Sequence, residues 1–182
     1  MKSVALTARR QLGFTLIELC VCAGIGAALL SQAIPGIRQL REQQALKAEA
    51  AELGADLRFA RSEAARLGTD IAFRLSGRGS NACYVLHTGS NGDCDCSGGQ
   101  AVCRSANAQI LKVRTLPAGQ ALTLSSRVET LRYQHVQGLV TPAASIDISS
   151  GSGATVRQVV AITGRTRSCA VGQALGSIPR CS

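Results

Sequence analysis

The sequence has few of the residues from which enzymes build active sites. It contains two histidines, His87 and His135, and it has neither a G-x-S-x-G nucleophile elbow nor a Walker loop. No pair of acidic residues is set apart by its context for acid–base chemistry. We therefore expect no catalytic residue, no cofactor and no small-molecule substrate, and we interpret both histidines as ordinary strand residues.

Aromatic residues are also scarce. Five occur in 182 residues, namely Phe14, Phe59, Phe73, Tyr84 and Tyr133. A surface that stacks nucleic-acid bases needs aromatic rings, so such a platform is not expected here. If this chain binds nucleic acid, it must bind the phosphates, and such binding is weak, independent of sequence and strongly dependent on salt.

Acidic residues are scarce in the C-terminal half. From Cys96 to Ser182 there are nine Lys and Arg residues against two acids, Glu129 and Asp147, a net charge of +7. Between Gly36 and Asp70, six basic residues are balanced by six acidic ones. The excess positive charge therefore lies in the C-terminal half, which indicates an anionic partner there.

The N-terminal part contains a long run with almost no charge. Of the 21 residues from Phe14 to Ile34, only Glu18 is charged. As a helix this run would be about 30 Å long, the thickness of a bilayer core. We predict a basic leader over residues 1–13 and a transmembrane helix over residues 14–35. An acid at the centre of such a span costs about 2.5–3.5 kcal/mol, so Glu18 needs a partner.

Glu18 lies in the sequence Gly13-Phe14-Thr15-Leu16-Ile17-Glu18-Leu19. With the basic leader before it and Pro35 after the apolar run, this heptapeptide resembles the class III signal sequence of type IV pilins and type II secretion pseudopilins. The resemblance implies that prepilin peptidase cleaves between Gly13 and Phe14, and that Phe14 becomes N-methylphenylalanine. It also implies that Glu18 guides assembly with other pilins, where a neighbour's terminal amine would neutralise its carboxylate.

Three other interpretations of the N-terminus stay open. Ser31-Gln32-Ala33 has the small-x-small form of an ordinary signal-peptidase site, which would release a secreted protein, in principle an enzyme, after Ala33. A plain membrane anchor is the second interpretation. The third is a lipoprotein signal, although Cys20 and Cys22 lack the small residues required before an acceptor cysteine.

Pro35-Gly36 is expected to interrupt and kink the helix. Residues 36–69 then predict an amphipathic second half with a buried stripe of Leu53, Leu57, Ala60, Ala64 and Leu67. The segment 57–66 resembles the end of the long helix in the GspH/FimT branch of pseudopilins and minor pilins, which implies a β-rich head packed on the helix. Its charged residues are expected to form a solvated face with weak ion pairs: Arg58, Glu63 and Arg66.

After residue 69, short β-prone runs alternate with turn-forming residues, which predicts an α+β fold with an antiparallel β-rich head over residues 70–182. The first two runs are expected to form a hairpin. The predicted strands are residues 70–75, 82–88, 109–114, 121–125, 128–136, 144–149 and 156–163.

The predicted head contains six cysteines: Cys83, Cys94, Cys96, Cys103, Cys169 and Cys181. An even number indicates up to three disulfides, in any of 15 connectivities, and an oxidising compartment such as the periplasm. Cys94 and Cys96 are expected to bond different partners and to fix the polar loop 89–107. Zinc is the weaker interpretation because no C-x-x-C pair occurs, and the acids of this loop lack the rest of a calcium-binding pattern, so we expect no metal.

A basic motif, Gly164-Arg165-Thr166-Arg167, follows the last clear strand. It resembles a Gly-Arg-x-Arg motif of FimT-type minor pilins from naturally competent bacteria, where the motif is associated with DNA binding. If the backbone is extended, both guanidinium groups project from one side about 6.6 Å apart, close to the spacing of adjacent phosphates. A Cys169–Cys181 disulfide would bring Arg180 near. The candidate contacts are Arg157, Arg165, Arg167 and Arg180, with Gly164 permitting the turn.

These features predict a minor pilin of a type IV pilus. The protein would pass once through the bacterial inner membrane with its head in the periplasm, and would then enter the pilus. Its basic tip would bind double-stranded DNA for uptake in natural transformation. The alternative is a GspH-like pseudopilin of the type II secretion system, structural and indifferent to DNA, and a basic surface turn without function is the simplest explanation of the motif.

Overall fold

The computed structural model describes residues 15–77, 79–116, 119 and 121–182, apart from the side chains at positions 30 and 32–35. Gly13 and Phe14, the predicted cleavage and methylation site, lie outside these residues, as does the predicted leader. The chain divides into two units, Met1–Arg38 and Gln39–Ser182. Helix α1 (Leu16–Leu67) contributes residues to both units.

In the first unit, α1 begins directly after Thr15. The Thr15 hydroxyl oxygen accepts a hydrogen bond from the backbone N–H of Glu18 at 3.3 Å, the N-cap interaction that serine and threonine side chains provide. Glu18 therefore lies in the first helical turn, where the positive end of the helix dipole favours a carboxylate. This local role accounts for an acid at this position whether or not Glu18 also guides assembly.

The helix continues through Pro35 and Gly36, so the interruption predicted there is wrong. A proline removes one backbone donor, but the turns before and after it keep theirs. Among the residues that the structure describes, no helix combines the length and the hydropathy needed to cross a membrane.

The second unit joins the rest of α1 to antiparallel strands that form three sheets. The strands are β1 (Ile71–Ser76), β2 (Cys83–Thr88), β3 (Cys94–Asp95), β4 (Val102–Cys103), β5 (Ile110–Thr115), β6 (Leu122–Ser126), β7 (Thr130–Tyr133), β8 (Val140–Thr141), β9 (Ala144–Ser150), β10 (Thr155–Val160) and β11 (Thr166–Val171). The sheet orders are β5-β2-β1-β7-β8, β11-β10-β9-β6 and β3-β4. The predicted α+β fold with an antiparallel head is confirmed.

The apolar stripe of α1 is buried in a single core that it shares with both large sheets. Its members are each at most 2% exposed: Leu46, Ala50, Leu53, Leu57, Ala60 and Ala64. Leu67 was predicted to belong to the stripe but is 40% exposed, because it is the last helical residue. The 3–4 residue spacing thus predicted the buried face of the helix but extended it one turn too far.

Acids on α1 hold the edge strand β5 by ion pairs. Asp56 is nearly buried and accepts hydrogen bonds from the Lys112 ammonium at 2.6 Å and from the Tyr84 hydroxyl at 2.7 Å. Arg114 donates to Glu49 at 2.9 Å. Burial, and then the Asp56 carboxylate, raise the pKa of Tyr84, so the phenol stays a neutral donor.

The loop predicted over residues 89–107 is fixed by two disulfides. Cys94 bonds Cys103 and Cys96 bonds Cys83, so the neighbouring cysteines do have different partners. The loop contains the β3–β4 hairpin, which was not predicted because strands of two residues show no periodicity. It covers the face of β2 that is turned away from α1, and β2 is therefore buried on both faces.

Replacement of Leu57 by alanine tests the role of the buried stripe. Leu57 is fully buried, so Leu57→Ala should lower the free energy of unfolding by about 3 kcal/mol through lost apolar contact and the cavity left behind. Leu67→Ala is the matched control on the same helix and should change it by less than about 0.5 kcal/mol. Urea unfolding of the two purified variants measures both values, and equal losses would contradict the assignment of the stripe.

Candidate anion-binding surface

The predicted basic motif begins in the tight turn between β10 and β11. Gly164 has a φ of 74°, a conformation that residues with a Cβ rarely adopt. A Cβ at Gly164 would also lie 2.6 Å from the carbonyl oxygen of Gly138, which belongs to the turn between β7 and β8. Glycine is therefore required at position 164 both by the backbone conformation and by the close approach of the two turns.

The sequence indicated that the motif follows the last strand, but residues Thr166–Val171 form a further strand, β11. This strand pairs with β10, and Arg167 lies opposite Val159. Strand β11 was missed because its sequence, TRSCAV, lacks an alternating apolar pattern. Arg165, directly before β11, and Arg167 are exposed, while Thr166 between them is half-buried. Such alternation is typical of an extended segment with every second side chain on one side, and the shared direction of the two arginines stays a prediction.

The guanidinium groups of Arg165 and Arg167 have no carboxylate within 4 Å among the described residues. Arg157 differs, because Asp147 accepts two hydrogen bonds from it, each of 2.7 Å. Hydrogen bonding to Asp147, and then the negative charge of Asp147, raise the pKa of Arg157. Of these three candidates, Arg165 and Arg167 are the arginines whose charge is open to an external anion, whereas Arg157 already has a partner.

Arg180 is placed beside β11 by the C-terminal tail. The Cys169–Cys181 disulfide is present, and Arg180 forms a parallel bridge with Ala170. Backbone hydrogen bonds of 2.8 and 2.9 Å between Ala170 and residues Pro179 and Cys181 fix this arrangement. Ala170 is three residues from Arg167, about 10 Å along the strand, so the tail brings Arg180 near the motif.

Helix α1 contributes an arginine, Arg61, that no sequence motif marks. The Nε and Cδ atoms of Arg61 lie 3.0 and 3.1 Å from the position that a Cβ of Gly164 would occupy. The same side chain lies 3.4 Å from the corresponding position of Gly138. These distances place the exposed side chain of Arg61 beside both turns, next to the motif. Its sequence signal is the lack of an acid three or four residues away on the helix.

Asp70 anchors the turn between β7 and β8 on which Gly138 lies. Its carboxylate accepts hydrogen bonds from the His135 backbone N–H at 3.0 Å and from the Arg132 guanidinium at 2.9 Å, and it is 2.7 Å from Nδ1 of His135. Burial acts to raise the pKa of Asp70, but the bonds to His135 and Arg132 outweigh it and lower the pKa to about 2. His135 was expected in a strand, but β7 ends at Tyr133 and His135 lies in the turn.

His87 is fully buried in β2, with Nδ1 2.8 Å from the carbonyl oxygen of Thr88. Asp93 and Asp95, the acids of the incomplete calcium pattern, each accept a backbone hydrogen bond within the loop. Within the described ranges, no group of three or more His, Cys, Asp or Glu residues is arranged to hold a metal ion.

A family model for the type II transport protein GspH matches residues 49–164 of the chain. The chain belongs to the GspH family. It is a minor pilin or pseudopilin, as its N-terminal and helical motifs predicted. The match ends at Gly164, so Arg165, Arg167 and Arg180 lie beyond the part of the sequence that the family model describes.

Solved structures share the fold of this GspH-family protein. The type IV minor pilin FimU of Pseudomonas aeruginosa is 20% identical with a TM-score of 0.52, and the match covers 69% of this chain and 89% of FimU. The minor pseudopilin EpsH of the Vibrio cholerae type 2 secretion system is 17% identical with a TM-score of 0.50, over 70% of this chain and 98% of EpsH. A search of curated proteins found no match.

The low pKa of Asp70 predicts an acid-dependent loss of stability in this GspH-family protein. The folded-state pKa lies below the ordinary value of 3.8, so the bonds of Asp70 stabilise the fold fully above about pH 4. That contribution, about 2 kcal/mol, is lost as the pH falls towards 2. Asp70→Asn should therefore lower the free energy of unfolding at pH 7 by about this amount and have little effect at pH 2.

Denaturant unfolding at several pH values measures this difference. Glu129→Gln serves as the control, because Glu129 is exposed and makes no ion pair with the described part of the chain. A difference between Asp70→Asn and the unaltered protein that stays constant from pH 7 to pH 2 would show that the ionised carboxylate does not anchor the turn.

Proposed function

We propose that this protein is a minor pilin of a type IV pilus that binds duplex DNA through the arginines at the β10–β11 turn. The observation that carries the proposal is the pair of exposed arginines at the start of the edge strand β11, Arg165 and Arg167, which have no carboxylate partner in the described residues. Repulsion between such charges is relieved when they bind an anion. Two residues apart on an extended backbone, the arginines are about 6.6 Å apart along the chain, close to the spacing of adjacent phosphates on one nucleic-acid strand.

The contacts would be to phosphates and not to bases. Phe73, Tyr84 and Tyr133 are each at most 4% exposed, so their rings cannot stack on bases. Phe59, on the helix, is 38% exposed and is a single ring. Without aromatic stacking, affinity comes from counterion release, which makes binding independent of sequence and sensitive to salt. Such binding suits a protein that captures DNA of any sequence for uptake in natural transformation.

The N-terminal half of α1 would anchor the protein. In this proposal prepilin peptidase cleaves between Gly13 and Phe14, Phe14 is methylated, and Glu18 guides assembly with other pilins. Before assembly the helix would hold the protein in the inner membrane with its head in the periplasm. The disulfides of the head support an oxidising compartment of this kind.

A second candidate is a pseudopilin of the type II secretion system. The matched family is described as a type II transport protein, and the fold is similar to that of the pseudopilin EpsH. In this role the head would be structural and would not bind DNA. The two candidates differ in what deletion of the protein should do: loss of DNA uptake in the first, and retention of exported proteins in the periplasm in the second.

DNA binding is tested by removing the two arginines. The purified full-length protein should retard duplex DNA at low salt, and Arg165→Gln/Arg167→Gln should weaken this binding about tenfold. If each arginine neutralises one phosphate, the slope of log affinity against log salt should fall by about 1.8. Affinity measured at several salt concentrations gives both quantities.

A charge-matched control separates specific contacts from total charge. Arg66→Gln/Arg104→Gln also removes two positive charges, but from exposed positions in α1 and in the disulfide-bonded loop. It should keep most of the affinity and most of the salt slope. If the two double variants bind alike, or if the Arg165→Gln/Arg167→Gln protein retards DNA as the unaltered protein does, then the β10–β11 turn is not the DNA-binding site.

A further inference from the structure

The side chain of Arg61 lies close to two glycine turns from different sheets. Its Nε lies 3.0 Å from the Cβ position of Gly164 and 3.4 Å from that of Gly138. A hydrogen bond of 2.8 Å from the Val140 N–H to the Ile162 carbonyl joins the two turns. A Cβ at Gly164 would require the Arg61 side chain to shift, whereas one at Gly138 would only touch it. The two turns therefore form a seat for Arg61 beside Arg165.

The charge of Arg61 is not neutralised within the described part of the protein. No carboxylate lies within 4 Å of it there. Along the helix, the residue three positions before it is another arginine, Arg58, which also makes no ion pair in that part of the chain. Like charges at this spacing destabilise a helix by a few tenths of a kcal/mol, so the pair gains from a bound anion.

Tyr133, the phenol whose pKa Arg61 influences, does not supply a negative charge either. The phenol of Tyr133 is fully buried and close enough to feel the charge of Arg61. Burial raises the pKa of Tyr133, and this effect exceeds the opposing effect of Arg61. The phenol is therefore neutral at every physiological pH, and it leaves the charge of Arg61 directed at solvent.

Arg66, one turn further along α1, shows the contrasting arrangement. Glu63 lies three residues before it and accepts three hydrogen bonds from its guanidinium, of 2.6 to 3.0 Å. The two arginines are both exposed and lie on the same helix, but only Arg66 has its charge paired by a neighbour. Arg66 therefore serves as a matched control for Arg61 in the binding experiment.

We infer that Arg61 is part of the DNA-binding surface, so that the phosphate backbone of the DNA lies across the junction of α1 with the β10–β11 turn and not along the β10–β11 hairpin alone. The inference rests on the proposed function. It adds an arginine from the helix to Arg165 and Arg167, and it gives Gly138 and Gly164 a role in forming the surface. Gly138 and Gly164 bring the helix and the hairpin close enough for one phosphate strand to contact both.

The test compares Arg61→Gln, Arg61→Lys and Arg66→Gln in the full-length protein, with duplex DNA as the probe and affinity measured over a range of salt. Arg61→Gln should weaken binding roughly two- to fivefold and lower the salt slope by about 0.9, the loss of one phosphate contact. Arg61→Lys keeps the charge and should retain most of the slope. Arg66→Gln should leave both quantities nearly unchanged.

The outcomes distinguish this inference from the proposed function. If Arg61→Gln and Arg66→Gln behave alike while Arg165→Gln/Arg167→Gln loses binding, DNA contacts the hairpin alone and this inference is wrong. If Arg61→Lys loses as much salt slope as Arg61→Gln, the side chain acts by supporting the turn and not by its charge, which also overturns it. If the unaltered protein does not retard DNA, both the inference and the proposed function are wrong.

Discussion

Burial of the apolar stripe of α1 is the constraint on which the rest of the head depends. Small residues on and beside that stripe let strand β10 approach the helix closely. A Cβ at Gly54, next to the stripe, would lie 3.3 Å from the Gln158 amide, which donates a 2.6 Å hydrogen bond to the carbonyl of Ala50. This contact fixes the height of β10 along the helix. Because β10 leads into the basic turn, the same packing places Gly164 against Arg61.

Ion pairs and disulfides fix the edges of the head, which the modest apolar core does not reach. Buried charges on α1 are stabilising only when they are paired, and Asp56 is paired with Lys112 of the edge strand β5. At an edge of the four-stranded sheet, the C-terminal tail is held on β11 by the Cys169–Cys181 disulfide. Disulfides restrict the unfolded chain and need little apolar area, which suits a loop and a tail too polar to fold by burial.

The sequence predicted the elements whose pattern is local. The helical stripe, the β1–β2 hairpin and the separate partners of Cys94 and Cys96 follow from spacing and composition. It did not predict β11, which is stabilised by pairing with β10 and not by an apolar pattern of its own. The sequence also did not predict that Arg61 lies in the site, because its position there depends on two turns more than 70 residues further along the chain.

The central claim is that helix and hairpin together present one anion-binding surface, and backbone amide NMR during titration with a short DNA duplex tests it most directly. The account predicts shifts that cluster at Arg61, Gly138 and the residues from Gly164 to Arg167, and that disappear when salt is raised. Shifts that fall elsewhere on the head, or that follow the hairpin while leaving the helix unchanged, would contradict it.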